Sequence, residues 1–266
     1  MPALIRISSV LLLSLFTANA LAAAPAAPAG KAGTAEPASL TPVMAGEFAL
    51  QAGKLPEAAR WYLEAAEAGR DDAGLAERAT RIAMLADDDK RATRALALWE
   101  KRAPRSLAMR SAAAALDLRK GDVKGARTEL ATLLRDPDPR GWKFALAALV
   151  GGGRDPAAAA DVLGRLVDDN AIPNQLEPWQ EFGRLAMRMD RPELARRMVD
   201  EVVRRFPGEP RVALLNASLM FQAGKTDDAL AALRSVEPRT ADDPELRNAV
   251  AIAYDAMGDA KSAERV

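Results

Sequence analysis

Two residue columns recur along this chain at the same spacing, and together they limit what it can fold into. Alanine stands at Ala58, Ala92, Ala126, Ala195, Ala229 and Ala263, with gaps of 34, 34, 69, 34 and 34 residues. With 59 alanines among 266 residues, that column alone carries little weight. The second column removes the doubt: five residues before each alanine stand Gly53, Asp87, Gly121, Asp190, Gly224 and Gly258. The gap of 69 is one unit of 34 plus one of 35. A fixed period of this length means stacked supersecondary units, none of which can bury its apolar face alone.

Each unit reads as helix, tight turn, helix. Apolar and small residues recur at helical spacing before the Gly or Asp, as at Trp179, Phe182, Gly183 and Ala186. The Gly or Asp tolerates the left-handed backbone that closes the first helix. The second helix opens on start signals: Pro56-Glu57, Asp155-Pro156, Pro192-Glu193 and Thr226-Asp227-Asp228. Pro104 and Pro207 end it, since proline cannot continue the backbone ladder. The recurring alanine faces the first helix, where a small side chain lets two backbones approach. In the fourth unit Gly151-Gly152-Gly153 crowds the turn, and the small position falls at Ala159 or Ala160 with Leu163 and Leu166 behind it. Glycines weaken a helix interior, so a shortened first helix and a local bend are expected there.

The period, the helix–turn–helix units, and Trp179, Phe182-Gly183, Ala186, Ala195 and Pro207 at their mutual spacing resemble the tetratricopeptide repeat (TPR). Pentatricopeptide repeats, which bring a basic groove, and the longer Sel1-like repeats fit less well. The resemblance implies an all-α, right-handed α-solenoid over residues 39–266, with units at 39–72, 73–106, 107–140, 141–175, 176–209, 210–243 and an incomplete 244–266. It also implies a concave surface lined by the first helices. Carried over unit by unit, the groove positions are Glu47, Leu50 and Gln51; Glu77, Arg81 and Met84; and Ser111, Leu118 and Arg119. The later units contribute Glu177, Gln180, Arg184, Met187 and Arg188, then Leu214, Ser218, Phe221 and Gln222, then Asn248 and Asp255. Such a mixed surface suits a peptide or a segment of a folded partner. Arg184 and Arg188, one helical turn apart, suit a carboxylate; the alternative is a solvated face pairing with Glu177, Glu181 or Asp190. Phe221 and Met187 read equally well as inter-repeat core.

Composition removes most chemistry. The chain has no Cys and no His, so thiolate sites, imidazole bases and serine–histidine triads are excluded, and no catalytic, cofactor or metal site is expected. With 37 basic and 37 acidic side chains there is no bulk pull towards nucleic acid. Asp87-Asp88-Asp89 lacks the alternating ligands of a calcium loop and reads as a capping turn. The basic groups at Lys101–Arg105 and Arg204-Arg205 fall at helix ends, where cations offset the macrodipole.

Residues 1–22 have the layout of a secretory signal peptide: Arg6, an apolar Ile7–Thr17 run, and a small-x-small site ending at Ala22. A periplasmic location follows, without lipid attachment, which needs a cysteine. Residues 23–38 are an Ala/Pro-rich linker. The seventh unit stops two turns into its second helix, from which the chain is expected to be a fragment of a longer protein. The stretch 75–119 is similar to the early repeats of periplasmic TPR proteins, one of which is an outer-membrane lipoprotein adaptor that binds a carboxyl-terminal processing protease; this chain departs from that adaptor in lacking its lipid-bearing cysteine. The expected function is thus an exported interaction scaffold, with a protease and its substrates as candidate partners. The alternatives are an envelope-biogenesis subunit and the helical N-terminal part of a cell-wall enzyme.

Overall fold

The computed structural model describes residues 37–152 and 155–266. Among these are fourteen α-helices and no strand. They are α1 Pro37–Gln51, α2 Leu55–Ala68, α3 Ala73–Leu85, α4 Asp89–Arg102, α5 Leu107–Lys120, α6 Val123–Leu134 and α7 Gly141–Gly151. Then follow α8 Pro156–Asp168, α9 Leu176–Arg188, α10 Pro192–Arg205, α11 Pro210–Gln222, α12 Thr226–Val236, α13 Pro244–Ala256 and α14 Ala260–Arg265. Successive helices pair as helix–turn–helix units, and first helices of neighbouring units pack side by side, as α5 does on α7 and α7 on α9. The described residues divide into two compact units, up to Val199 and Asp200–Val266.

The turn column has the backbone that its residue types imply. Gly53, Asp87, Gly121, Asp190, Gly224 and Gly258 all have φ between 55° and 83°. Several of these turns hand over directly to an N-cap. The carboxylates of Asp88, Asp122 and Asp259 accept from the amides of Arg91, Gly125 and Ser262, satisfying donors that the helix itself leaves open. First helices are capped likewise, by Asp72 on Leu75, Ser106 on Met109 and Asp243 on Leu246. The start signal Thr226-Asp227-Asp228 works differently. The N-cap is Lys225, without a side-chain bond, and the two carboxylates lie in the first turn, where the macrodipole favours them.

The alanine column lies in the seam between paired helices. Ala58, Ala92, Ala126 and Ala229 are fully buried, and so is Ala159, which takes the small position of the fourth unit. Only Ala263 is half-buried. In the unit up to Val199, Tyr62, Leu63, Ile82, Ala83 and Leu116 form one cluster with Ala58 and Ala92, and Trp99 packs with Ala76 and Met109. In Asp200–Val266 the core is Ala217, Leu233, Val236, Val250 and Tyr254 with their neighbours.

The signal peptide, and the linker as far as residue 36, lie outside the described residues; 37 and 38, expected to be linker, open α1, because proline suits a first helical turn. Helix α7, with eleven residues, is the shortest of the first helices. The bend expected after it falls on 153–154, outside the described residues. Gly152 is needed for close approach: a Cβ there would stand 2.7 Å from the Cβ of Leu118.

Candidate partner-binding surface

The amphipathic helix α9 positions the most exposed group of expected groove residues. Trp179, Phe182, Leu185 and Ala186 turn inward, and the Trp179 indole N–H donates to the carbonyl of Pro173 at 3.1 Å, which fixes the start of the helix. The opposite face presents Glu177, Gln180, Arg184, Met187 and Arg188. Glu177 is exposed, with Lys143 of α7 at 3.7 Å. Gln180 is half-buried. Arg184 pairs with Glu181 of its own helix, so its guanidinium serves the solvated-face role first. Met187 is 60% exposed, and Arg188 beside it is exposed in the last turn.

Met187 has company near the ends of other first helices. Leu85 ends α3 and Val150 stands near the end of α7, and they are 65% and 53% exposed. First helices pack in the order α3, α5, α7, α9, so Val150 and Met187 lie on adjacent helices, while α5 separates α3 from α7. The ends of these helices expose Leu85, Val150 and Met187, with Arg188 next to Met187. Sequence reasoning missed Leu85 and Val150. Leu85 stands two residues before its turn residue, as Arg188 does, and that register was the available signal.

Other expected groove positions are used within the chain. Glu47 accepts from the buried Tyr62 hydroxyl and pairs with Arg78. Burial, reinforced by Glu47, pushes the Tyr62 phenol up to about 12. Glu77 and Arg81 form an ion pair along α3 at 2.6 Å. Leu50 and Met84 are half-buried and Gln51 is exposed. Ser111 Oγ donates to the carbonyl of Phe144 at 2.8 Å, tying α5 to α7. Leu118 is buried, and the Arg119 side chain is 8% exposed, with its guanidinium holding Asp87 and Asp89. Neither can line a groove.

In Asp200–Val266, Leu214 corrects its assignment. It is buried in the core with Ala217 and Val236, because α11 turns this face inward. Ser218 is half-buried and its hydroxyl donates back to the Leu214 carbonyl at 3.0 Å. Phe221 is half-buried, while Gln222, Asn248 and Asp255 are exposed. Ile252 of α13, 49% exposed, is a further apolar residue that sequence reasoning missed.

Among the described residues no three His, Cys, Asp or Glu side chains are grouped as metal ligands would be. No helix among them is long and apolar enough to cross a membrane.

Residues 186–253 match the family model for the tetratricopeptide repeat. No curated protein matches the chain. Similar solved structures include the P58(IPK) TPR domain, 16% identical, covering 85% of this chain, with a TM-score of 0.34. This chain covers 57% of the length of that structure. A tetratricopeptide repeat protein from Parabacteroides merdae is 12% identical over 82% of this chain and 86% of its own, with a TM-score of 0.39. PilF of Pseudomonas aeruginosa is 13% identical over 86% of this chain and 88% of its own, with a TM-score of 0.30. The described residues form an all-α array of helix–turn–helix repeats, of which 186–253 match the tetratricopeptide repeat model.

Proposed function

We propose that the chain is an exported protein–protein interaction scaffold whose partner docks on the first-helix ends marked by Leu85, Val150 and Met187. The observation that carries this reading is the exposure of three large apolar side chains near the ends of first helices, two of them, Val150 and Met187, on adjacent helices. Exposed apolar groups gathered in one place mark interaction sites more often than scattered ones do. Arg188 next to Met187 adds a charge-assisted donor for a carboxylate on the partner. Export rests on the signal-like first 22 residues. The finer role, an adaptor presenting substrates to a periplasmic protease, rests on the likeness of 75–119 to such adaptors.

A crosslinking pull-down from periplasm tests both levels, using the chain from Ala23 and its Met187→Glu/Arg188→Glu variant. Both positions are exposed, so the variant keeps the fold. Recovery of a protease with its substrates by the wild type, lost in the variant, is the expected result. Equal recovery by both would remove these helix ends from the account, and recovery of partners without a protease would remove the adaptor role.

A further inference from the structure

Three repeats are tied to the one before them in the same way. Seven residues after the left-handed turn residue, the second helix carries Arg94, Arg197 or Arg265. Each guanidinium pairs with a carboxylate at the end of the preceding second helix: Glu67, Asp168 and Glu237, which stand 27, 29 and 28 residues earlier. First helices repeat a second feature. The residue five before the turn residue is covered: Ile82, Leu116, Leu185 and Ala253 are 7%, 1%, 4% and 2% exposed. Leu219 in the sixth repeat is half-buried.

In the first described repeat both positions are open. The counterpart of Arg94 is Arg60, whose guanidinium lies 4.1 Å from the centre of the Trp61 ring and has no carboxylate partner among the described residues. The counterpart of Ile82 is Phe48, which is 64% exposed and continues a stripe with Leu40 and Met44, 54% and 51% exposed. These three residues are spaced four apart and share one face of α1. The sole charged side chain of α1, Glu47, is engaged with Tyr62 and Arg78.

We infer that the face formed by Leu40, Met44, Phe48 and Arg60 receives an amphipathic helix of another protein, seated as a preceding second helix would be, with a carboxylate in its last turn against Arg60. The chemistry of the occupant follows from the repeats that are already filled. Apolar side chains cover the Phe48 position, and an acid at the helix end meets the arginine. Residues 1–35 do not supply that acid, because they contain no Asp or Glu. In a second copy the equivalent acids at the ends of second helices, Glu67, Asp168 and Glu237, are already held by their own arginines.

The test uses a labelled peptide with the sequence of this chain's own α2, Leu55–Gly69, which ends in Glu67, titrated against the full chain by fluorescence anisotropy. Saturable binding is expected, weakened by about tenfold or more in Phe48→Glu. Arg60→Glu is expected to weaken the same peptide and to recover binding when the peptide carries Glu67→Arg. Both positions are exposed, so circular dichroism of the variants should match the wild type. Absence of saturable binding to the wild type, or equal binding by Phe48→Glu, would overturn the inference. A dimer in sedimentation that Phe48→Glu disperses would assign the face to a second copy and overturn it too.

Discussion

Arg119 reaches back one repeat and donates from Nε to Asp89 at 2.9 Å, sealing the turn of the second repeat against the first helix of the third. Its other nitrogens donate to Asp87 at 2.9 Å and to the Met84 carbonyl at 3.0 Å, and its side chain is only 8% exposed. One side chain thus satisfies a helix-end carbonyl and two carboxylates around a left-handed residue. Arg119→Met should cost about 2–3 kcal/mol, since it strips several charge-assisted bonds at once. Arg119→Lys should recover only part, because an ammonium cannot span the same fork. Urea midpoints check this, and an unchanged midpoint in Arg119→Met would refute it.

Gly46 and Gly183 hold the same place in the first and fifth repeats but have different surroundings. A Cβ on Gly46 would stand 2.7 Å from the ring of buried Tyr62, whereas one on Gly183 would meet Met198 at 4.0 Å. Gly46→Ala should therefore destabilise by about 1–3 kcal/mol through overpacking. Gly183→Ala should stabilise by up to about 1 kcal/mol, because alanine favours the helix without a clash. Thermal melts of the two variants should move in opposite directions.

The alanine seam makes a similar claim. Ala195 of α10 is 5% exposed. Ala195→Leu should lower stability by about 1–3 kcal/mol, as the helices must part to admit three more carbons. A denaturant midpoint equal to wild type would contradict this packing.

The alkaline limit should be set partly by tyrosine. The chain has two tyrosines, and both are buried with their hydroxyls donating to carboxylates, Tyr62 to Glu47 and Tyr254 to Glu237. Burial, then the neighbouring carboxylate, raises each phenol from its usual 10 to about 12. The unfolded chain ionises near pH 10 while the folded one keeps its protons. Stability from this source is therefore full below about pH 10 and is lost as pH rises towards about 12. Tyrosinate absorbance should stay low in the native protein until well above the pH at which it rises in urea. Coincident titration curves would contradict the burial.

The turn residues and the alanine seam were legible because they answer to backbone demands that few residue types meet. A left-handed φ restricts a position to Gly, Asp or Asn, so its register shows in sequence. Asn170 also has positive φ, at 52°, but it lies between repeats and has no periodic counterpart, which left it invisible. The surface was harder to read. Carrying positions from repeat to repeat assumes that every first helix exposes the same face. Leu214 breaks that assumption by packing inward, and Ser111 and Arg119 break it by bonding to neighbouring repeats. Leu85 and Val150 look like core from sequence, and their exposure depends on neighbours that only the fold supplies.

On the proposed reading, a protein partner meets the last turns of the first helices. The most direct test places a photo-crosslinking amino acid at Met187 or Leu85 and, as a control, at exposed Thr93 on second helix α4. Irradiation in periplasmic extract should give the same discrete crosslinked partner from Met187 and Leu85 and none from Thr93. A partner captured from Thr93 but not from Met187 or Leu85 would place binding on the second helices and contradict the account.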